Sequence, residues 1–146
     1  MRVLVGEFEN AFRALHEESL ELLDSSIFVP VGPDEKPTGG TVSELIVRSA
    51  AKVEQCFGGI SARLWDDPYE WTLPESFLAK TAVFEYLGEV KAVREGGFKL
   101  LRSDRELAAK IAAPAGMVTI FDVLLSTLTE SNRQLALAAY VSRDAI

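Results

Sequence analysis

Six prolines, at positions 30, 33, 37, 68, 74 and 114, divide this 146-residue chain more sharply than any other feature. Proline inside a helix costs about 3 kcal/mol, so the proline-free stretches 1–29, 38–67, 75–113 and 115–146 are the places where long helices can form. Each carries apolar residues at helical spacing. In the first, Phe8, Phe12, Leu15, Leu22 and Leu23 make one stripe, and Glu7, Glu9, Glu17, Glu18, Glu21 and Asp24 fall mostly off it. This helix is expected to fade near Asp24-Ser25-Ser26. The following PVGPDEKPTGG reads as a surface loop.

The second stripe joins Val42, Leu45, Ile46, Val53, Phe57, Ile60 and Leu64, with Ser49 on the same face. Thr41 and Glu44 have the spacing of a capping box at its start. Gly58-Gly59 predicts a kink or a close approach of another helix. DDPYEWTLPES, from Asp66 to Ser76, shows no helical stripe and is long enough to cross the end of a bundle. A third helix is predicted from Ala79, with Val83, Leu87, Val90, Val93 and Leu100 or Leu101 facing inward. Ser103 and Glu106 suggest a short separate helix over SDRELAAKI, closed by the turn APAG at 113–116. Thr119 and Asp122 open a fourth long helix, with Phe121, Leu124, Leu125, Leu128, Leu135 and Ala138 or Ala139 on its core side. No strand alternation stands out beyond an ambiguous Met117-Val118-Thr119. Four long amphipathic helices predict a single all-α domain over 1–146, a four-helix bundle.

Composition narrows the function. Fifteen basic against twenty-two acidic residues give a net charge of −7. This argues against nucleic acid or an anionic membrane as a partner, since binding phosphates takes clustered Lys and Arg. No apolar run approaches the roughly 20 residues of a membrane span, and the N-terminal apolar run is too short for a secretory signal. One cysteine, Cys56, cannot form an internal disulfide, which fits a reducing compartment, and the expected location is cytoplasmic. The single histidine, His16, leaves no second imidazole for a site that needs two. It sits beside Phe12 and Leu20 as a packing residue or a ligand; as a metal ligand it would need carboxylate partners, and Glu17 and Glu18 are expected in solvent. Cys56 reads as a small apolar side chain, with Lys52 the one basic neighbour that a nucleophilic role would have. No phosphate-binding glycine loop occurs.

The order of segments resembles the DinB/YfiT superfamily of helical bundles. SELIVRSAAKVE at 43–54, YEWTLPES at 69–76, VFEYLGEVKAVR at 83–94 and TIFDVLLSTLTES at 119–131 carry the likeness, which spans most of the chain. The resemblance implies a bundle in up-down-down-up order with a long crossover between the second and third helices, and commonly a homodimer. It also implies a divalent metal held by three histidines, one from the second helix and two from the fourth. Those positions correspond here to Arg48, Thr129 and Arg133, with Asn132 adjacent. Guanidinium has no lone pair to donate, so the expectation is a family member without the metal and without any other cofactor. A remnant cleft would then be lined by Arg48, Ser49, Thr129, Glu130, Asn132 and Arg133. Two readings stay open for the arginines. They clamp a small anionic ligand, or they pair with Glu44 and Glu130 one turn away. Ser49, Ser126, Thr127, Thr129 and Asn132 either line a pocket or bond back to carbonyls of their own helix. The functional expectation is a small-ligand or protein-interaction module. The alternative is a metal-dependent thiol S-transferase or isomerase, of the bacillithiol, mycothiol or glutathione type, in which carboxylates such as Glu130 and Asp122 replace imidazoles. A stress-response scaffold would follow from the family name alone.

Overall fold

Helix α1 spans Val3–Ser25 and buries Val5, Phe8, Phe12, Leu15, Ser19 and Leu23 at steps of three and four, the stripe expected from the sequence with Leu23 rather than Leu22 inside. Its first turn is closed from elsewhere in the chain. The Asp104 carboxylate accepts the backbone N–H groups of Leu4 at 3.1 Å and Val5 at 2.9 Å, meeting donors that have no partner within the helix. These hydrogen bonds, that of Val5 first, hold the Asp104 carboxyl below its usual range. In this computed structural model, residues 1–25, 42–68 and 79–144 are described. The loop over 30–40, the cap at Thr41 and the segment 69–76 lie outside the described residues.

Helix α2, Val42–Ala62, is the hub. Leu45, Ile46, Val47, Ser49, Ala50, Ala51, Val53, Cys56, Phe57, Gly59 and Ile60 are all buried, more than one stripe can hold, because three other helices pack around it. The helix stops at Ala62. Arg63 takes a left-handed conformation (φ 58°), and the amides of Arg63 and Leu64 bond back to the carbonyls of Gly59 and Gly58 at 3.0 Å each. Leu64 is therefore exposed and not part of the stripe. The two glycines sit in this last turn. The close approach comes from the Trp65 ring, which folds onto Gly59 so tightly that a Cβ there would overlap it.

Helix α3, Lys80–Lys99, buries Val83, Tyr86, Leu87, Val90, Arg94, Gly97 and Phe98. Val93 faces solvent, and of the two candidates after it Leu101 is inside and Leu100 outside. A short 3-10 helix, Asp104–Ala108, follows. The predicted helix over SDRELAAKI goes no further, because the chain turns into strand β1, Lys110–Ala113, paired antiparallel with β2, Gly116–Thr119. Ile111 faces Val118 and Ala112 faces Met117. The capping-box spacing misleads here: Ser103 makes no side-chain cap, and Glu106 accepts the amide of Arg102 instead. Gly116, at φ +132°, supplies the backbone conformation that turns the hairpin. Trp65 Nε1 donates to the Ala112 carbonyl at 2.9 Å and pins the hairpin to the end of α2.

Helix α4, Ile120–Asp144, starts where expected, with Thr119 Oγ1 accepting the amide of Asp122 at 3.1 Å. It buries Ile120, Leu124, Ser131, Leu135 and Ala138. Phe121 and Leu125, expected on the core side, are exposed, and Leu128 and Ala139 are half-buried. The core centres on Phe12, Phe57 and Phe98, whose ring centroids lie 5.0 to 5.6 Å apart. The protein is thus mostly helical, with four long helices and one two-stranded sheet among the described residues. None of those helices is long and apolar enough to cross a membrane.

Candidate functional site

The seam between α2 and α4 is where the family resemblance would put a site. At its centre Ser49 Oγ donates to the Ser131 carbonyl at 3.1 Å, and Ser131 Oγ returns the bond to the Ser49 carbonyl at 3.0 Å. Both serines are buried, and the hydroxyl of each finds its acceptor on the other helix. The seam is closed here by direct contact between two small residues. Ser49 was a candidate from its place on the core stripe; Ser131 was missed because a serine at helical spacing reads as an ordinary polar position. Its signal was there, four residues before Leu135 and seven after Leu124.

The arginines flank this clasp. Arg48 Nη2 lies 3.2 Å from Glu44 Oε1 on α2, and Arg133 forms a two-nitrogen hydrogen-bonded pair with Glu130 on α4, one bond at 2.5 Å and one at 3.3 Å. Each guanidinium is neutralised by a carboxylate one turn away. The pairing holds the Glu130 carboxyl below the usual range and pushes the Arg133 guanidinium up. The ion-pair arrangement is the one the structure adopts. Thr129 and Asn132 are exposed and bond back to the carbonyls of Leu125 (2.9 Å) and Leu128 (2.8 Å). Of the six predicted cleft residues, Ser49 alone is buried between the helices; Arg48 and Glu130 are half-buried, and Thr129, Asn132 and Arg133 are exposed.

Asp122 sits in the first turn of α4, eight residues or roughly 12 Å of helix before Glu130, so the two carboxylates proposed as replacement ligands do not meet. Among the described residues, no three His, Cys, Asp or Glu side chains converge as a metal site. The side chains at the three positions where the resemblance puts histidines do not fit a metal: two are ion-paired guanidinium groups and the third is a threonine whose hydroxyl proton is engaged.

Two further reactive side chains lie away from the seam. Cys56 is buried beside Thr127, whose hydrogen bond to the thiol is outweighed by burial, and the thiol is pushed up to about 12. No thiolate nucleophile forms there near neutrality. Tyr86 donates to Glu54 at 2.9 Å, and burial raises its phenol well above the ordinary value. Set against protein-family models, curated proteins and solved structures, the chain finds no match.

Proposed function

We propose that this protein is a DinB-like four-helix bundle without the family's metal, serving as a protein-interaction module whose contact surface is the rim of the α2–α4 seam and the adjoining outer face of α4. The observation that carries this reading is the serine clasp: Ser49 and Ser131 join the helices directly at the level where the family would place its ion. Arg48 and Arg133 stand on either side already paired with glutamates.

The order of interhelical contacts supports the up-down-down-up arrangement. From Ser49 to Cys56, the partners on α4 run backwards, from Ser131 to Thr127. From Glu54 to Phe57, the partners on α3 run forwards, from Tyr86 to Gly97 and Phe98. Along α1 they run backwards against α3, with Arg2 near Phe98 and Leu101 and Asp24 near Lys80.

The outer face of α4 supplies the apolar part of the contact. Phe121, Leu125, Leu137 and Tyr140 are all exposed, and the Phe121 ring packs edge-on to Phe8 of α1 at 5.5 Å, which fixes one end of the surface. A second copy of the chain is the proposed occupant. Analytical ultracentrifugation at about 100 μM tests it: the native protein sediments as a dimer and the Leu125→Glu, Tyr140→Glu double variant as a folded monomer. A native monomer at that concentration overturns the self-association. Metal analysis of tag-free protein after incubation with zinc, nickel or manganese tests the other half. Substoichiometric metal is expected; one tightly held ion per chain would favour the thiol-transferase reading.

A further inference from the structure

Arg94 is the buried charge that the seam does not explain. It lies on α3 with 5% of its surface exposed, packed against α1, and none of its nitrogens is wholly sealed from water-sized space. A guanidinium keeps its charge and five N–H donors at any ordinary pH, so burial obliges the protein to find it acceptors and a counter-charge. Among the described residues it makes no hydrogen bond. The nearest carboxylate is Glu95 Oε1 at 3.8 Å, beyond hydrogen-bond reach. That oxygen is also 4.0 Å from Lys91 Nζ, so one exposed carboxylate stands between two cations.

Beside Arg94 lies a cavity of about 20 Å³, room for one particle of roughly water's size. His16, Lys91 and Arg94 supply its basic wall, Ser19 and Ser49 its hydroxyls, and apolar side chains including Phe12 and Leu87 the rest. Both serine protons are engaged elsewhere, Ser19 on the Leu15 carbonyl and Ser49 on that of Ser131. The donors free to face the cavity therefore belong to Arg94, His16 and Lys91. The imidazole is half-buried, and its pKa is lowered, first by desolvation and then by the charges of Arg94 and Lys91, with Glu17 and Glu95 opposing. Arg13 and Glu17 of α1 are the other charges near Arg94, and Glu9 is paired with Arg2. The α2 side of the cavity, Ser49, Ala50 and Val53, brings no charge.

We propose that this niche between α1 and α3 binds one compact monovalent anion of the halide class, held by the Arg94 guanidinium and the His16 imidazole with Lys91 at the mouth. An anion there gives the buried guanidinium the counter-charge that the surrounding side chains leave incomplete. It also favours protonated His16, so binding tightens as pH falls through the titration of the imidazole. Sulfate, bulkier and doubly charged, pays a larger dehydration cost on entering a niche lined largely by apolar side chains.

The single histidine makes the test clean, because the protein has one set of imidazole resonances. His16 is titrated by NMR in sodium chloride and in sodium sulfate at equal ionic strength. The expected midpoint is higher in chloride by about half a unit or more, the effect of one charge roughly 4 Å away in a water-like dielectric. Arg94→Gln removes the difference. Equal midpoints in the two salts, or a difference that survives Arg94→Gln, overturn the proposal. Should that variant not fold, crystals of the unaltered protein grown in bromide decide: an anomalous peak between Arg94 and His16 supports the site, and water alone in that position refutes it.

Discussion

The two seams of this bundle treat an arginine in opposite ways. Along α2–α4, Arg48 has Glu44 four residues before it and Arg133 has Glu130 three before it, and each pair closes within its own helix, the first part-buried and the second exposed. Along α1–α3, Arg94 has Val90 and Lys91 before it and Gly97 and Phe98 after it at the same helical offsets. None is a carboxylate. Side chains three and four apart are neighbours on a helix and those one apart are not, which is why Glu95, next in sequence, reaches only 3.8 Å. Whether an arginine finds a carboxylate on its own helix is thus decided by its four neighbours at these offsets. With a glutamate among them it pairs along its own helix. Without one it carries an unmet charge inward.

The comparison breaks most completely if the aromatic core common to both seams is removed. Phe57 is fully buried on α2, touches the rings of Phe12 on α1 and Phe98 on α3, and lies against Gly97, where no Cβ would fit. Phe57→Ala leaves a cavity at the junction of three helices and is expected to cost about 3–5 kcal/mol in guanidinium unfolding. A loss under about 1 kcal/mol would mean that the helices are held by something other than this ring cluster, and the contrast between the seams would lose its common frame.

This also bears on what the amino-acid order makes legible. The four helices are plain in it because proline and apolar spacing act locally, and Thr119 opens α4 as its type and position predict. The hairpin was missed because Ser103 and Glu106 imitate a capping box, while the strand pairing of Ile111 with Val118 depends on a contact that no local pattern announces. Phe121 and Leu125 were assigned to the core since helical spacing alone does not say how wide the buried arc is; α4 meets the bundle on one side and α2 on nearly all. At the candidate site, the ion pairs were among the readings available from spacing. The Ser49–Ser131 clasp and the Arg94 niche were not, because each joins helices distant in sequence.

A smaller effect sharpens the account of the α2–α4 seam. Ser49→Ala deletes the donor to the Ser131 carbonyl and leaves that buried oxygen with one partner fewer, while the Ser131 hydroxyl still bonds to the backbone of residue 49. The expected loss is about 0.5–1.5 kcal/mol, the net worth of one hydrogen bond, since the carbonyl keeps the helical amide four residues on. Ser126→Ala, on the exposed side of α4, serves as the control and should lie within about 0.5 kcal/mol of the native protein. Equal effects for the two substitutions would show that the clasp adds nothing beyond an ordinary surface serine.

The smallest effect expected is the most telling for the arginines. Arg133 is exposed and its bond to Glu130 is open to solvent, so Arg133→Gln should leave the midpoint of thermal unfolding near pH 7 unchanged within error. The pair does predict a direction with pH. Because Arg133 holds the Glu130 carboxyl below its unfolded value, whatever the pair contributes is present above the ordinary carboxylate range and disappears as pH falls through the lowered value. Native and Arg133→Gln unfolding curves should therefore converge in acid, and any gap between them should open only on the neutral side. A gap that widens toward acid would show that Arg133 acts through some group other than Glu130, and the division between a self-neutralised seam and a charge-bearing one would have to be redrawn.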